Sequence, residues 1–332
     1  MNKIFAVLGG VGALWFGRDL LLPIITAVFL WYLTIAIGSY YRRILKIGWL
    51  SNAAAGASLL GVVWGFIELI RPMLWDLYKQ APQIAEGGKH LIAELSEIVG
   101  TEISFAGLPT LQESIMAAGN SLASGGAVLA MIIIYMIFIF IEQGSFPKKL
   151  RALFPQNKQF GKASFILHAI DSQMKKYLGV KTFVSLLQGF AFYLCLAVIG
   201  VPFAALWGFG QFLLNYIPTF GSIAATTLPM LYSFAINGDI TDVILIGISG
   251  AIVNLIFGNI LDPKLTGKSL NLSPLAILVS LIFWGMLWGS LGMFFSVPIL
   301  VGIYVAAAQF ECTRWIAVLL SADGQIPDKN EE

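Results

Sequence analysis

From Thr182 to Gly238 the chain runs for 57 residues without an Asp, Glu, Lys or Arg, and near the middle the run is interrupted by Asn215-Tyr216-Ile217-Pro218-Thr219-Phe220-Gly221. One hydrocarbon crossing takes about 20 apolar residues, so this length fits two crossings and exceeds what a soluble core uses. A second uncharged run, Ser269 to Phe310, ends the folded part of the sequence. Charged residues make up only 11% of the chain, less than half the share of a soluble domain, so the protein belongs in a membrane.

Candidate membrane segments are residues 4–17, 20–37, 54–74, 124–144, 183–204, 206–236, 242–261 and 273–308. Backbone groups in lipid must bond within their own element, and these runs are too long for barrel strands. The expected fold class is therefore all-α: a polytopic integral membrane protein with about eight hydrophobic segments, some broken or re-entrant. The opening MNKIFAVLGGVGALWFG resembles a signal peptide, but no polar domain follows Arg18-Asp19. It reads instead as a retained segment, one arm of a tight hairpin. The expected parts are N-terminal transmembrane helices over 1–74, an extracytoplasmic polar helical insertion over 75–123 and a transmembrane helix over 124–144. A basic cytoplasmic loop over 145–181, a C-terminal region of interrupted helices over 182–310 and a polar tail over 311–332 complete the chain.

Charge sets the expected orientation. Arg42, Arg43 and Lys46 lie between the second and third segments, and Lys148, Lys149, Arg151, Lys158, Lys162, Lys175, Lys176 and Lys181 lie between the fourth and fifth against the single acid Asp171. Both loops should face the cytoplasm. The 75–123 insertion holds Asp76, Glu86, Glu94, Glu97, Glu102 and Glu113 against Lys79 and Lys89, so it should face outward. Leu91, Leu95 and Ile98 follow helical spacing there and fit a cap on the bundle, an interfacial helix or a gate. A helix expected over Lys158–Tyr177 would bring basic residues to anionic lipid.

The interruption carries the candidate chemistry. Pro218 cannot donate a backbone hydrogen bond, and Gly221 tolerates a departure from helical angles. Asn215, Thr219, Ser222 and Thr226 place polar side chains beside the break as candidate solute-path residues. Broken helices bind polar solutes in transporters, whereas a kinked packing helix would use the same residues to satisfy its own backbone. In the second interrupted region, Pro263, Gly267, Pro274 and Gly285 are expected to shape the backbone together with Pro218 and Gly221. Trp284 and Trp288 are spaced to share a helix face. Glu68, Glu142 and Asp262 sit at segment boundaries as candidate ion-coupling groups; Glu68 has Arg71 one turn away as the simpler partner.

No enzyme constellation is present. The two histidines, His90 and His168, form no HExxH pattern, and there is neither a Walker-type phosphate loop nor a GxSxG elbow. Cys195 and Cys312 are far apart in sequence, which argues against a disulfide framework or a thiolate metal site. The expectation is a non-enzymatic protein with no cofactor, no metal and no nucleic-acid partner, since its basic residues report orientation.

Three stretches carry a resemblance: KKYLGVKTFVSLLQG, LLNYIPTFGSIAA and NILDPKLTGKSLNLSPLAILVSLIFWGMLWGSLGMFFSVP. Together they resemble the autoinducer-2 exporter family of bacterial membrane proteins, the PerM-like permeases. Asn215, Pro218, Gly221, Asp262, Pro263, Gly267, Lys268, Ser273, Pro274, Gly285, Gly289, Gly292 and Pro298 are the family-like positions. The resemblance implies a multi-pass protein of the bacterial inner or plasma membrane that forms homo-oligomers. It also implies transport, described for the family as export of the quorum-sensing signal autoinducer-2, with sodium or proton exchange in some relatives. The expected partners are membrane lipids and a small polar solute, with sodium ions or protons under the antiport alternative. A non-transporting structural or regulatory membrane protein is the reading from a different class.

Overall fold

The computed structural model describes residues 2–48, 50–61, 64–65, 68, 71–73, 75–76, 79–80, 82, 111–266 and 271–326. Gly267 and Lys268, with Leu91, Leu95, Ile98 and most of the outer insertion, lie outside the described residues. The described elements are helical apart from one isolated bridge, and five helices are long and apolar enough to cross a membrane: Arg18–Gly38, Gly126–Gln143, Ala163–Ile199, Ile240–Leu265 and Pro274–Gln309. The protein is an all-α polytopic membrane protein. Its outward faces fit lipid: Phe16 and Val198 are 88% and 89% exposed, which water would penalise and hydrocarbon does not.

The chain divides into two compact units, the first comprising Met1–Gly56, Ala127–Thr182 and Pro263–Glu332. In it α1 (Asn2–Phe16) meets α2 (Arg18–Leu45) at Gly17. The next helical stretch returns along α2, because Gly38 faces Asn52 while Gly56 faces Thr34. α3 (Leu111–Gln143) contributes its C-terminal part, followed by α4 (Phe146–Leu153). α5 (Asn157–Ile199) is a single helix of 43 residues. It contains the helix expected over Lys158–Tyr177 and continues through the expected membrane segment, and the two units divide within it between Thr182 and Phe183, where composition changes from basic to apolar.

Pro274–Gln309, here α10, is long enough to be taken for one span but is a hairpin. Ser280 Oγ donates to the Ser296 carbonyl at 3.1 Å, whereas sixteen residues of straight helix would separate them by about 24 Å. The reversal falls at Gly289, whose φ of 67° and ψ of −146° suit glycine. The arms touch closely; a Cβ on Gly292 would lie 1.9 Å from the Trp284 carbonyl oxygen. Trp284 and Trp288 share a face as expected, with centroids 4.5 Å apart. They pack on Leu14 and Leu21, and Trp288 Nε1 donates to the Leu14 carbonyl at 3.0 Å. The returning arm forms the main core with Met174, Tyr177 and Leu178 of α5. α11 (Arg314–Leu320) closes it by burying Ala317.

The second unit comprises Ala57–Gly126 and Phe183–Asp262. Within it the rest of α5 is followed by α6 (Ala204–Leu214), α7 (Phe220–Asn237) and α8 (Ile240–Val253). α8 continues as a π-helix over Asn254–Leu261, after which the short α9 (Asp262–Thr266) begins. Phe192, Leu196, Val201, Ile246 and Val253 make its core. The run 206–236 is thus two helices of 11 and 18 residues joined at a break.

Candidate functional site

Interhelical fit begins with glycine. A Cβ on Gly189 of α5 would lie 2.6 Å from the Gly208 carbonyl oxygen and 2.8 Å from Phe212 Cβ on α6. A Cβ on Gly208 would lie 2.5 Å from Tyr193 Cβ. Small residues here let two backbones approach as membrane helices require. The pairings run in opposite directions, so α5 and α6 are antiparallel. Ser185 and Gln188 are a turn apart on α5, Gln211 and Asn215 a turn apart on α6, and all four are buried. Asn215 Nδ2 donates to Ser185 Oγ at 2.9 Å. Gln188 Nε2 donates weakly, at 3.4 Å, to Oδ1 of Asn254, the first residue of the π-helix. The Oε1 atoms of Gln188 and Gln211 are buried with no donor from the protein in reach.

The break at 215–219 turns on Thr219. Its φ of 63° and ψ of −60° form the rare positive-φ γ-turn, closed by the Phe220 N–H donating to the Pro218 carbonyl at 2.7 Å. A β-branched residue is strained in this region. Ile217 N–H donates to the Leu214 carbonyl at 2.8 Å, tightening the reversal. A Cβ on Gly221 would stand 1.7 Å from that same carbonyl oxygen, so the position requires glycine for space. Pro218 ends the helix beside it.

The expected solute-path residues do not all converge. Asn215 and Ser222 are buried, but Thr219 is exposed at the tip. The Thr226 hydroxyl donates to the Ser222 carbonyl at 3.0 Å, and its side chain fills the space beside Gly250. The backbone-shaping positions fall in separate places. Pro263 lies in α9, Pro274 opens α10, and Gly285 admits the Met293 side chain from the opposite arm of the hairpin. Glu68 pairs with Arg71 at 3.0 Å, and Glu142 pairs with Lys149, both in exposed settings. Asp262 caps the transition from π- to α-winding. Among the described residues no three His, Cys, Asp or Glu side chains gather as a metal site.

Sequence reading missed Ser185, Gln188, Gln211 and Asn254. Spacing was the available signal: within a long uncharged run, Ser185 and Gln188 are three apart and Gln211 and Asn215 four apart, each pair on one helical face.

Broken helices, paired hairpin arms and buried neutral polar groups inside apolar helices define an integral membrane protein of the transporter type. The AI-2E family transporter profile matches residues 4–311, and the chain belongs to that family. It is 36% identical over 202 residues to the AI-2 transport protein TqsA of Escherichia coli K12, covering 61% of this chain and 58% of that protein. It is 34% identical over 191 residues to the putative transport protein YhhT of the same strain, covering 56% and 54%. The putative permease PerM of that strain aligns over 330 residues at 24% identity, covering 88% of each chain. The first two alignments therefore span little more than half of each relative.

Proposed function

We propose that this protein exports a small polar solute across the bacterial inner membrane as a homo-oligomer, with autoinducer-2 as the candidate substrate and quorum sensing as the process served. The observation that carries the reading is the buried neutral cluster around Gln188, Gln211 and Asn215 beside a helix break, in a chain similar over 202 residues to an AI-2 transport protein. Asn254 extends the cluster to a helix whose nearest acids are Asp242 and Asp262. Twelve residues of helix place Asn254 about 18 Å from Asp242, well inside a hydrocarbon core of about 30 Å. No covalent chemistry is needed; differential binding at such a site as the helices around it rearrange would move the solute.

Antiport with sodium or protons is the alternative within transport. Glu68 and Glu142 stand in exposed ion pairs with Arg71 and Lys149, so neither supplies a buried carboxylate of the kind that couples a cation to transport. Sealed vesicles containing the purified protein in known orientation should show protein-dependent flux of labelled autoinducer-2, with or without a sodium gradient. Absence of flux from correctly inserted protein would refute the export reading. Sodium or proton flux in its place would favour antiport, and the absence of both would favour a structural or regulatory role.

A further inference from the structure

We infer that Gln188, Gln211 and Asn254 form a binding site for an uncharged solute presenting hydroxyl or N–H donors. The inference gives the transport reading its chemical selectivity and rests on that reading only for the use made of binding.

Geometry places the three amides together. Gly189 and Phe212 face each other across the antiparallel α5–α6 pair, and Gln188 and Gln211 are the residues immediately before them. On antiparallel helices, the reversal of chain direction and the inversion of facing surface cancel. The two glutamines therefore stand on the same flank, offset along it by about 3 Å. The Gln188 hydrogen bond brings Asn254 to that flank. Gly258, one turn into the π-helix, lets both amides come close: a Cβ there would lie 2.6 Å from Asn254 Oδ1 and 3.9 Å from Gln188 Oε1.

The unpartnered atoms select the ligand. Gln188 is fully buried and Gln211 is 1% exposed, and each keeps a carbonyl oxygen without a donor. With Gln188 Nε2 turned to Asn254 Oδ1, Oε1 is the end of the Gln188 amide left for a ligand. Buried acceptors of this kind are costly unless a donor arrives. An anion would meet carbonyl oxygens and be repelled. A cation would have to exchange its hydration for amide oxygens, the nearest acid along the chain being Asp262, eight residues from Asn254. A neutral donor satisfies both oxygens with no charge to bury. π-Helical winding is uncommon and concentrates at functional sites, which agrees with Asn254 and Gly258 both lying in it.

The test separates binding from flux. Equilibrium binding of tritiated autoinducer-2 and of radioactive sodium is measured on the full chain in detergent, alongside vesicle flux, for the wild type and for Gln188→Leu, Gln211→Leu, Gln188→Glu and Gly258→Ala. The wild type should bind the neutral probe and not sodium, and each variant should bind it at least tenfold more weakly at unchanged elution volume. Gly258→Ala and Gln188→Glu serve if a leucine variant fails to fold, because one sets a methyl group against Asn254 Oδ1 and the other keeps the side chain's size. Absence of neutral-probe binding by the wild type, unchanged binding in the folded variants, or sodium binding lost in Gln188→Leu would each overturn the site. Binding that follows the expected pattern without any vesicle flux would leave the site standing and sink the transport reading.

Discussion

Replacing Gly221 with alanine adds one methyl group at the tightest point of the α6–α7 reversal. The new carbon would stand 1.7 Å from the Leu214 carbonyl oxygen, where ordinary contact begins at 3.4 Å, so the two must separate by about 1.7 Å. The oxygen cannot move freely because it accepts the Ile217 N–H at 2.8 Å. Overpacking of this kind costs about 1–3 kcal/mol, and loss of the turn hydrogen bond adds about 1 kcal/mol. Alanine's better helix propensity returns roughly 1 kcal/mol. The net expectation is a loss of about 1–3 kcal/mol, or a fall in melting temperature of roughly 2–4 °C for a chain of this length. Gly210→Ala is the control: nothing lies within 4 Å of its added Cβ, so helix propensity alone should act and raise stability by about 1 kcal/mol. Both variants are melted in the same detergent, and solute flux is measured per folded molecule. The reasoning is refuted if Gly221→Ala melts within 1 °C of Gly210→Ala.

Two smaller effects follow from the same geometry. Thr219→Gly removes a β-branched side chain from positive φ, and after the unfolded chain's gain in freedom is subtracted it should raise stability by roughly 0.5–1 kcal/mol in the same melts. Trp288→Phe removes the donor to the Leu14 carbonyl while keeping an aromatic ring, and should cost about 1 kcal/mol in denaturant titration.

Helical class and the broken character of the C-terminal half were legible because both follow from local chemistry. Pro218 and Gly221 marked the first break, and Gly285, Gly289 and Gly292 marked the second. The sense of each break was not legible: a kink and a full reversal use the same residues, and the distinction rests on whether the arms pack, as Ser280 and Ser296 do. The helix expected over Lys158–Tyr177 lies within α5, but its continuation to Ile199 was not legible, because a shift from basic to apolar composition changes the surroundings of a helix without ending it. The polar cluster was only half visible. Asn215 stood beside a proline, but its partner Ser185 is thirty residues away, and no local pattern links Gln188 to Asn254. Asn254–Leu261 reads as ordinary α-helix because the wider winding comes from packing; sequence-local propensity gives no sign of it.

That wider winding carries spare chain. A helix bonded five residues apart uses more residues per turn than one bonded four apart, so Asn254–Leu261 stores length that its neighbours lack. Dropping a residue from this stretch would let it rewind as α-helix, with the segments on either side keeping their register. The same loss within α8 would swing Gly250 away from Thr226 and unseat the packing of that pair. The stretch is therefore the place along this helix where a one-residue deletion should disturb its surroundings least.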